Sequence, residues 1–434
     1  MQLDRHRGKV RRLHAACRQE CVMPKLLNIN TYHYRRGGSD AVYLEHSALM
    51  AAQGWDNGFF AMQHPKNLPT PWSRYFIDEL EFGNAYSTLD KLKMASKVIY
   101  SFEAQRKLRA LLSDFPADVA HLHCIYHHHS PSILPVLKKA GVPVVMTAHD
   151  LKVACPAYKM LNRNGVCESC RTGSVLNVIK NRCIRDSLAA SAIVAAESGL
   201  HRALGTYQKH VDKLVVPSRF FGDKIVEWGF PADKVVYIPN YVDASTQVPR
   251  YEAGDYFLYF GRLALEKGVD TLIRAAGAAG VVLKIAGTGP EEAALRALVA
   301  QLGADTGARI EFLGFQSGAA LHTLIQQARV VVLPSQWYEN APMSVLESFG
   351  FGKPVIGAAI GGIPELVRDG VTGWTFEPGN VQALTALLSR TAAMPAEALA
   401  EAGRAGRAMV ETEFTKDRYL AAMLELYAGL GVRS

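Results

Sequence analysis

No apolar run in this 434-residue chain approaches the roughly 18 residues that a membrane-spanning helix needs. Residues 1–22 (MQLDRHRGKVRRLHAACRQECV) are basic but lack the apolar centre of a secretory leader. They read as a disordered extension ahead of the first strand-like segment, which begins after Met23. No zinc-finger, RNP or helix-turn-helix pattern occurs, which sets nucleic acid aside as a partner. Short repeats and low-complexity stretches are missing too. There is no Asp-x-Asp pair anywhere, so a divalent ion held between carboxylates is disfavoured.

What is present is a globular composition, 49% hydrophobic and 20% charged, over a length that calls for two domains with one core each. The net charge of +8 is uneven. The first 250 residues hold 33 Lys and Arg against 21 Asp and Glu, and the remainder holds 15 against 19. A basic first half fits an anionic partner, either a membrane surface or an anionic lipid-linked substrate. A solvated surface that is merely basic fits it equally.

Short apolar segments alternate with helical patterns. KLLNIN (25–30) runs through TYHYRRGGSD into a helix over 41–54. Strands over 118–125, 142–150, 213–218 and 235–240 follow, with helices over 89–112, 131–140 and 187–204 between them. The alternation restarts at YFLYFGR (256–262) and continues through strands over 281–287, 309–315, 330–335, 352–362 and 371–378. The expected fold class is α/β, two Rossmann-like doubly wound domains facing across a cleft. The domains should run over 23–245 and 246–410, with a last helix within 411–434 packing back across the junction.

Ligands of such sheets bind at the carboxyl ends of strands. There, Arg262 and Lys267 lie five residues apart and could neutralise a diphosphate without a metal, or could simply be surface cations. In ENAPMSVLE (339–347), Pro342 suits a first helical turn, with Glu339 on the preceding loop and Glu347 inside the helix. The free amides of that helix start would face an anion. Glu339 could accept hydrogen bonds from sugar hydroxyls and Glu347 from a ribose. Two solvated glutamates at that spacing are also a common accident.

Taken together, GGSD, TAHD, FGRLALEKG, AGTGP, FLGF, ENAPMSVLE and GGIPELVRDGVTGW, in that order over about residues 24–430, resemble the retaining glycosyltransferases of family GT4, which have the GT-B fold. The resemblance implies a nucleotide-diphosphate sugar as donor. Arg262 and Lys267 would hold its diphosphate. Glu339 and the backbone of Asn340, Ala341, Pro342, Met343 and Ser344 would hold its sugar and phosphate. Glu347 would bind the ribose, while Gly314 and Phe315 would frame the base. Gly37 and Gly38 would let the first loop approach the diphosphate, and His149 would face the transferred sugar. His149, Arg262, Lys267 and Glu339 are thus the catalytic candidates. The resemblance also implies that the departing phosphate oxygen takes the acceptor proton, with no protein base.

Three further features stand apart. Cys155, Cys167, Cys170 and Cys183 form C-x11-C-x2-C-x12-C within an insert over 151–185. Four thiols around C-x2-C suit a structural zinc, four unlinked thiols, or less readily a disulfide. In HLHCIYHHH (121–129), a cleft-lining loop touching acceptor hydroxyls is expected rather than a metal site. Residues 91–109 hold six Lys and Arg among apolar residues, which suits a helix on anionic lipid or a solvated helix with one core-facing stripe.

The function expected is retaining, metal-independent hexosyl transfer to a glycan acceptor, a lipid-linked intermediate of a bacterial surface or exopolysaccharide. The place expected is the cytoplasm or the inner face of its membrane. Alternatives are a nucleotide-sugar epimerase of the same architecture or a catalytically silent sugar-nucleotide-binding protein. A dinucleotide-dependent oxidoreductase is disfavoured, because Glu292 stands where G-x-G-x-x-G needs its third glycine.

Overall fold

The structure, a computed structural model, describes residues 23–79 and 88–432; the extension over 1–22 lies outside them. The strands in chain order are β1 (Lys25–Ile29), β2 (Asp56–Phe60), β3 (Val119–Leu122), β4 (Val144–Thr147), β5 (Leu161–Asn162), β6 (Gly165–Val166), β7 (Lys213–Val216), β8 (Val235–Tyr237), β9 (Phe257–Phe260), β10 (Leu283–Ala286), β11 (Ile310–Gly314), β12 (Val330–Leu333), β13 (Val355–Ala358) and β14 (Gly373–Phe376). They form two parallel six-stranded sheets, ordered β2-β1-β3-β4-β7-β8 and β11-β10-β9-β12-β13-β14, with β5-β6 a separate hairpin. Most central strands are buried along their whole length, as sheets covered by helices on both faces require. Each sheet has its own apolar core.

The order of each sheet reverses beside its first strand. In the first sheet β1 lies between β2 and β3, and in the second β9 lies between β10 and β12. Loops leaving those central strands in opposite directions open a crevice, which is where doubly wound sheets bind ligands.

Several elements differ from the sequence reading. β2 (DNGFF) has too few apolar residues to stand out in the sequence. The single helix expected over 89–112 is two helices, Thr88–Ile99 and Phe102–Asp114. Ser101 breaks it by taking an extended conformation and accepting a hydrogen bond from the Ala104 amide. The basic stripe there is partly neutralised within the protein. Glu103 binds Lys97 at 2.6 Å and Lys107 at 3.0 Å, and Asp78 binds Lys107 at 3.0 Å. The side chain of Lys91 lies outside the described residues. Among the described residues no helix is long and apolar enough to cross a membrane.

Helices Val381–Ala393 and Ala396–Thr412, not foreseen from the sequence, precede the final helix, which starts at Lys416 rather than 411. That final helix leaves the second sheet and buries Tyr419, Met423 and Tyr427 against Leu26, Met50 and Trp55 of the first domain.

Candidate active site

The two reversal points supply the site. The loop after β9 carries Arg262 and Lys267, and the loop after β12 carries Ser335, Glu339 and the start of the helix Met343–Gly350. Lys267 Nζ donates to Glu339 Oε1 at 2.7 Å, and Ser335 Oγ donates to the same oxygen at 2.6 Å. Glu339 is only 5% exposed. Burial raises the proton affinity of its carboxyl, but the Lys267 ammonium and the Ser335 hydroxyl overturn that and hold it below the ordinary range. Lys267 also sits 5.4 Å from the ring centre of Trp337. The two charges therefore form a prearranged pair, while the Arg262 side chain stays on the exposed rim.

Pro342 is the residue before that helix (φ −66°, ψ 115°) rather than part of its first turn, and no side chain caps the helix start. Its first amides are thus open to an anion. The loop rests on glycines: a Cβ on Gly361 would meet the Glu339 amide nitrogen at 2.5 Å, and one on Gly362 the Asn340 carbonyl oxygen at 2.0 Å. The sequence shows GGIPE as a cleft loop without revealing that it is the floor under Glu339. Gly314 holds φ +67° at the end of β11, and Phe315 beside it is 74% exposed. Glu347 is half-buried. Burial, and then Glu45 across the cleft, push its carboxyl up to about 7, with Arg35 opposing.

The first domain supplies the facing wall. Gly37 and Gly38 start the helix Gly38–Ala52 after β1, and a Cβ on either would meet nothing within 4 Å. Asp40, next to them, is buried and accepts from Asn30 Nδ2 at 2.9 Å. His149 follows β4. The carbonyl of its neighbour Ala148 accepts from Asn340 Nδ2 at 2.8 Å, and Asn340 Oδ1 accepts from Ser218 Oγ at 2.9 Å. The Asn340 side chain therefore links the loop after β12 to the first domain, a contact invisible in the sequence. The candidate residues, from Gly37 and His149 to Glu347, lie at or just past the carboxyl ends of the strands, on the loops and helices that follow them.

Three of the five histidines of the run depart from the expected acceptor loop, while His127 and His128 stay half-buried. His121, His123 and His129 are wholly buried, so they cannot touch acceptor hydroxyls. His123 Nδ1 instead meets His149 Nε2 at 2.8 Å.

The cysteine insert lies against the loops after β9 and β12. Lys159 Nζ pairs with Glu266 Oε1 at 3.0 Å, and the Tyr338 hydroxyl donates to Glu168 Oε1 at 2.9 Å. Cys155, Cys167, Cys170 and Cys183 are all free thiols, and the first and third are buried. Burial, and then the neighbouring thiols, raise the proton affinity of Cys170 and Cys183. Even so, among the described residues no three His, Cys, Asp or Glu groups are gathered tightly enough to hold a metal ion. As it is arranged, the set does not fit zinc.

A model of the glycosyl transferase 4-like domain matches residues 37–241, and one of glycosyl transferases group 1 matches residues 243–409. The chain belongs to the GT4 family of glycosyltransferases. Its fold is GT-B, and two solved structures share it. Anabaena HepE in complex with UDP and glucose covers 94% of this chain with all of its own, at a TM-score of 0.66 and 16% identity. Sucrose-phosphate synthase from Thermosynechococcus elongatus covers 94% with 99% of its own, at 0.69 and 20%. Among curated glycosyltransferases, AmsK of amylovoran biosynthesis in Erwinia amylovora is 29% identical over 50% of this chain and 57% of its own length. The D-inositol 3-phosphate glycosyltransferase of Mycolicibacterium paratuberculosis is 36% identical over 40% of each chain. The chain thus spans less than two thirds of either relative.

Proposed function

We propose that this glycosyltransferase moves a hexosyl group, with retention of configuration and without a catalytic metal, from a nucleoside-diphosphate sugar to a glycan acceptor. The observation that carries this reading is the prearranged Lys267–Glu339 pair beside an uncapped helix start, opposite Gly37, Gly38 and His149. Arg262, Lys267 and the amides at Met343 and Ser344 meet the negative charge that grows on the leaving diphosphate. Glu339 accepts hydrogen bonds from the sugar hydroxyls, and Glu347 accepts them from the ribose. Gly314 and Phe315 frame the base. The departing phosphate oxygen takes the acceptor proton, so no protein base is assigned.

The acceptor we favour is a lipid-linked intermediate of a bacterial polysaccharide, met at the inner surface of the membrane. The basic first half supports this, as does the likeness to a protein of amylovoran biosynthesis. The test is a thermal-shift screen with UDP-, GDP- and ADP-sugars in the presence of a chelator. At least one should raise the melting temperature, and product from that donor should keep its anomeric configuration by NMR. Binding that vanishes with the chelator and returns with magnesium would overturn the metal-independent reading.

A further inference from the structure

Behind His149 lies a buried column of imidazole and phenol groups that the proposed transfer does not use. His123 is fully buried, and its ring lies nearly parallel to both neighbours. Its centroid is 5.1 Å from that of His149 at 20° and 4.7 Å from that of His121 at 12°. His121 is held at both nitrogens: Nε2 meets Thr147 Oγ1 at 2.7 Å, and Nδ1 meets the Tyr427 hydroxyl. The Tyr427 hydroxyl also meets His46 Nε2 at 2.8 Å. The final helix therefore props His121, His121 props His123, and His123 touches His149.

The proton positions in this column follow from one orphan atom. His123 Nε2 is buried and has no hydrogen-bond partner. A buried N–H without an acceptor is rarer in folded proteins, and costs more, than a bare lone pair. The proton of His123 therefore belongs on Nδ1, the nitrogen facing His149. Both rings are neutral, since burial lowers His149 to about 4 and holds His123 well below the ordinary range. If His123 Nδ1–H donates, His149 Nε2 must accept, and the one remaining proton of His149 sits on its Nδ1.

We propose that His123 is a positioning residue that fixes the ring plane of His149 and locks it in the Nδ1–H form, so that His149 meets the transferred sugar as a hydrogen-bond donor and not as a base. The part about the sugar rests on the function proposed above; the tautomer does not. A locked donor aimed at a sugar oxygen orients the transferred group without competing with the phosphate oxygen for the acceptor proton.

The test is made on the full-length free protein, uniformly labelled at histidine with ¹⁵N, by two-bond ¹H–¹⁵N correlation. The His149 signals are identified by their loss in His149→Ala. The expected result is a proton on His149 Nδ1 in the wild type. It should stay there in His123→Asn, whose amide takes the place of Nδ1. In His123→Leu, His149 should move mainly to the Nε2–H form that solvated imidazole prefers. Should the leucine variant not fold, His123→Gln serves, because its amide reaches the Nε2 side and leaves His149 unpaired in the same way. A wild-type proton on Nε2, or an unchanged His149 tautomer when His123 is replaced, overturns the proposal. Failure of the donor reading shows separately, as an absence of any nucleotide-sugar shift in the thermal screen.

Discussion

Lys267 and Glu339 neutralise each other before any donor arrives, so each holds the other in place. Removing Lys267 leaves a carboxylate that is almost wholly buried, still hydrogen-bonded by Ser335 but stripped of its balancing cation. Lys267→Ala should cost on the order of 10²–10³ in kcat, the loss of one charge-stabilising contact, plus disorder of the loop. Glu339→Ala should cost a similar factor by freeing the ammonium from its register. Steady-state rates with the donor chosen by the thermal screen would check both, and wild-type rates in both would sink the site assignment. Glu347 gives a pH dependence. Its free carboxyl is raised from 4.5 to about 7, and if it binds the ribose as proposed, the hydroxyls donating to it favour the charged form. Donor binding therefore releases a proton, and affinity should rise as pH climbs through about 7, gaining ~10-fold between pH 6 and 8. Calorimetric titration with an intact nucleotide sugar should show this slope, and Glu347→Gln should flatten it. For the free protein the sign reverses: the raised carboxyl stabilises the fold fully below its unfolded value near 4.5, and that contribution fades as pH rises through 7.

At the scale of elements, two glycine pairs have opposite reasons to exist. Gly361 and Gly362 are demanded by the protein itself, since a Cβ there strikes the backbone under Glu339 and Gly361 also holds φ +61°. Gly37 and Gly38 face open space, and Gly37 is ordinary extended backbone (φ −159°), so the fold alone does not require glycine there. Gly38→Val should leave the melting temperature within about 2 °C of the wild type, as an unstrained surface change does. The same variant should weaken donor binding at least about tenfold, the ~1.4 kcal/mol of a lost close approach. The insert is another such element. Tyr338→Phe removes its hydroxyl contact to Glu168, and donor affinity should fall about fivefold, the ~1 kcal/mol of one hydrogen bond. Affinity equal to the wild type in that variant would mean that the insert does not steady the donor loop.

The same scale explains what the sequence made legible. Strands such as β9 and β12 are unbroken apolar runs because both faces of their sheets are covered, and the site residues cluster just past their ends. Lys267 and Glu339 could be located that way, although their mutual pairing across 72 positions could not. β2 hides because Asp56, Asn57 and Gly58 mask its apolar end. The burial of His121 depends on Tyr427, 306 positions away, so no local pattern separates a propped core histidine from a cleft-lining one.

Across the whole molecule, the final helix ties the chain's end to its beginning. Tyr427 fills the first-domain core beside Trp55 and supplies hydrogen bonds to His46 and His121, so the first domain is completed by a segment that comes after the second. Tyr427→Ala leaves a cavity, and two buried imidazole nitrogens lose their partner, for a cost of about 4 kcal/mol. For a domain of this size that corresponds to a fall of about 10 °C in its unfolding transition. The second sheet keeps its own core, so the transition that a nucleotide sugar stabilises should move far less. Scanning calorimetry with and without that donor separates the two: the first-domain transition should drop and the donor-induced rise should remain. A variant that melts like the wild type would show that the helix only rests on the first domain, and the support it gives the histidine column behind His149 would then be lost as well.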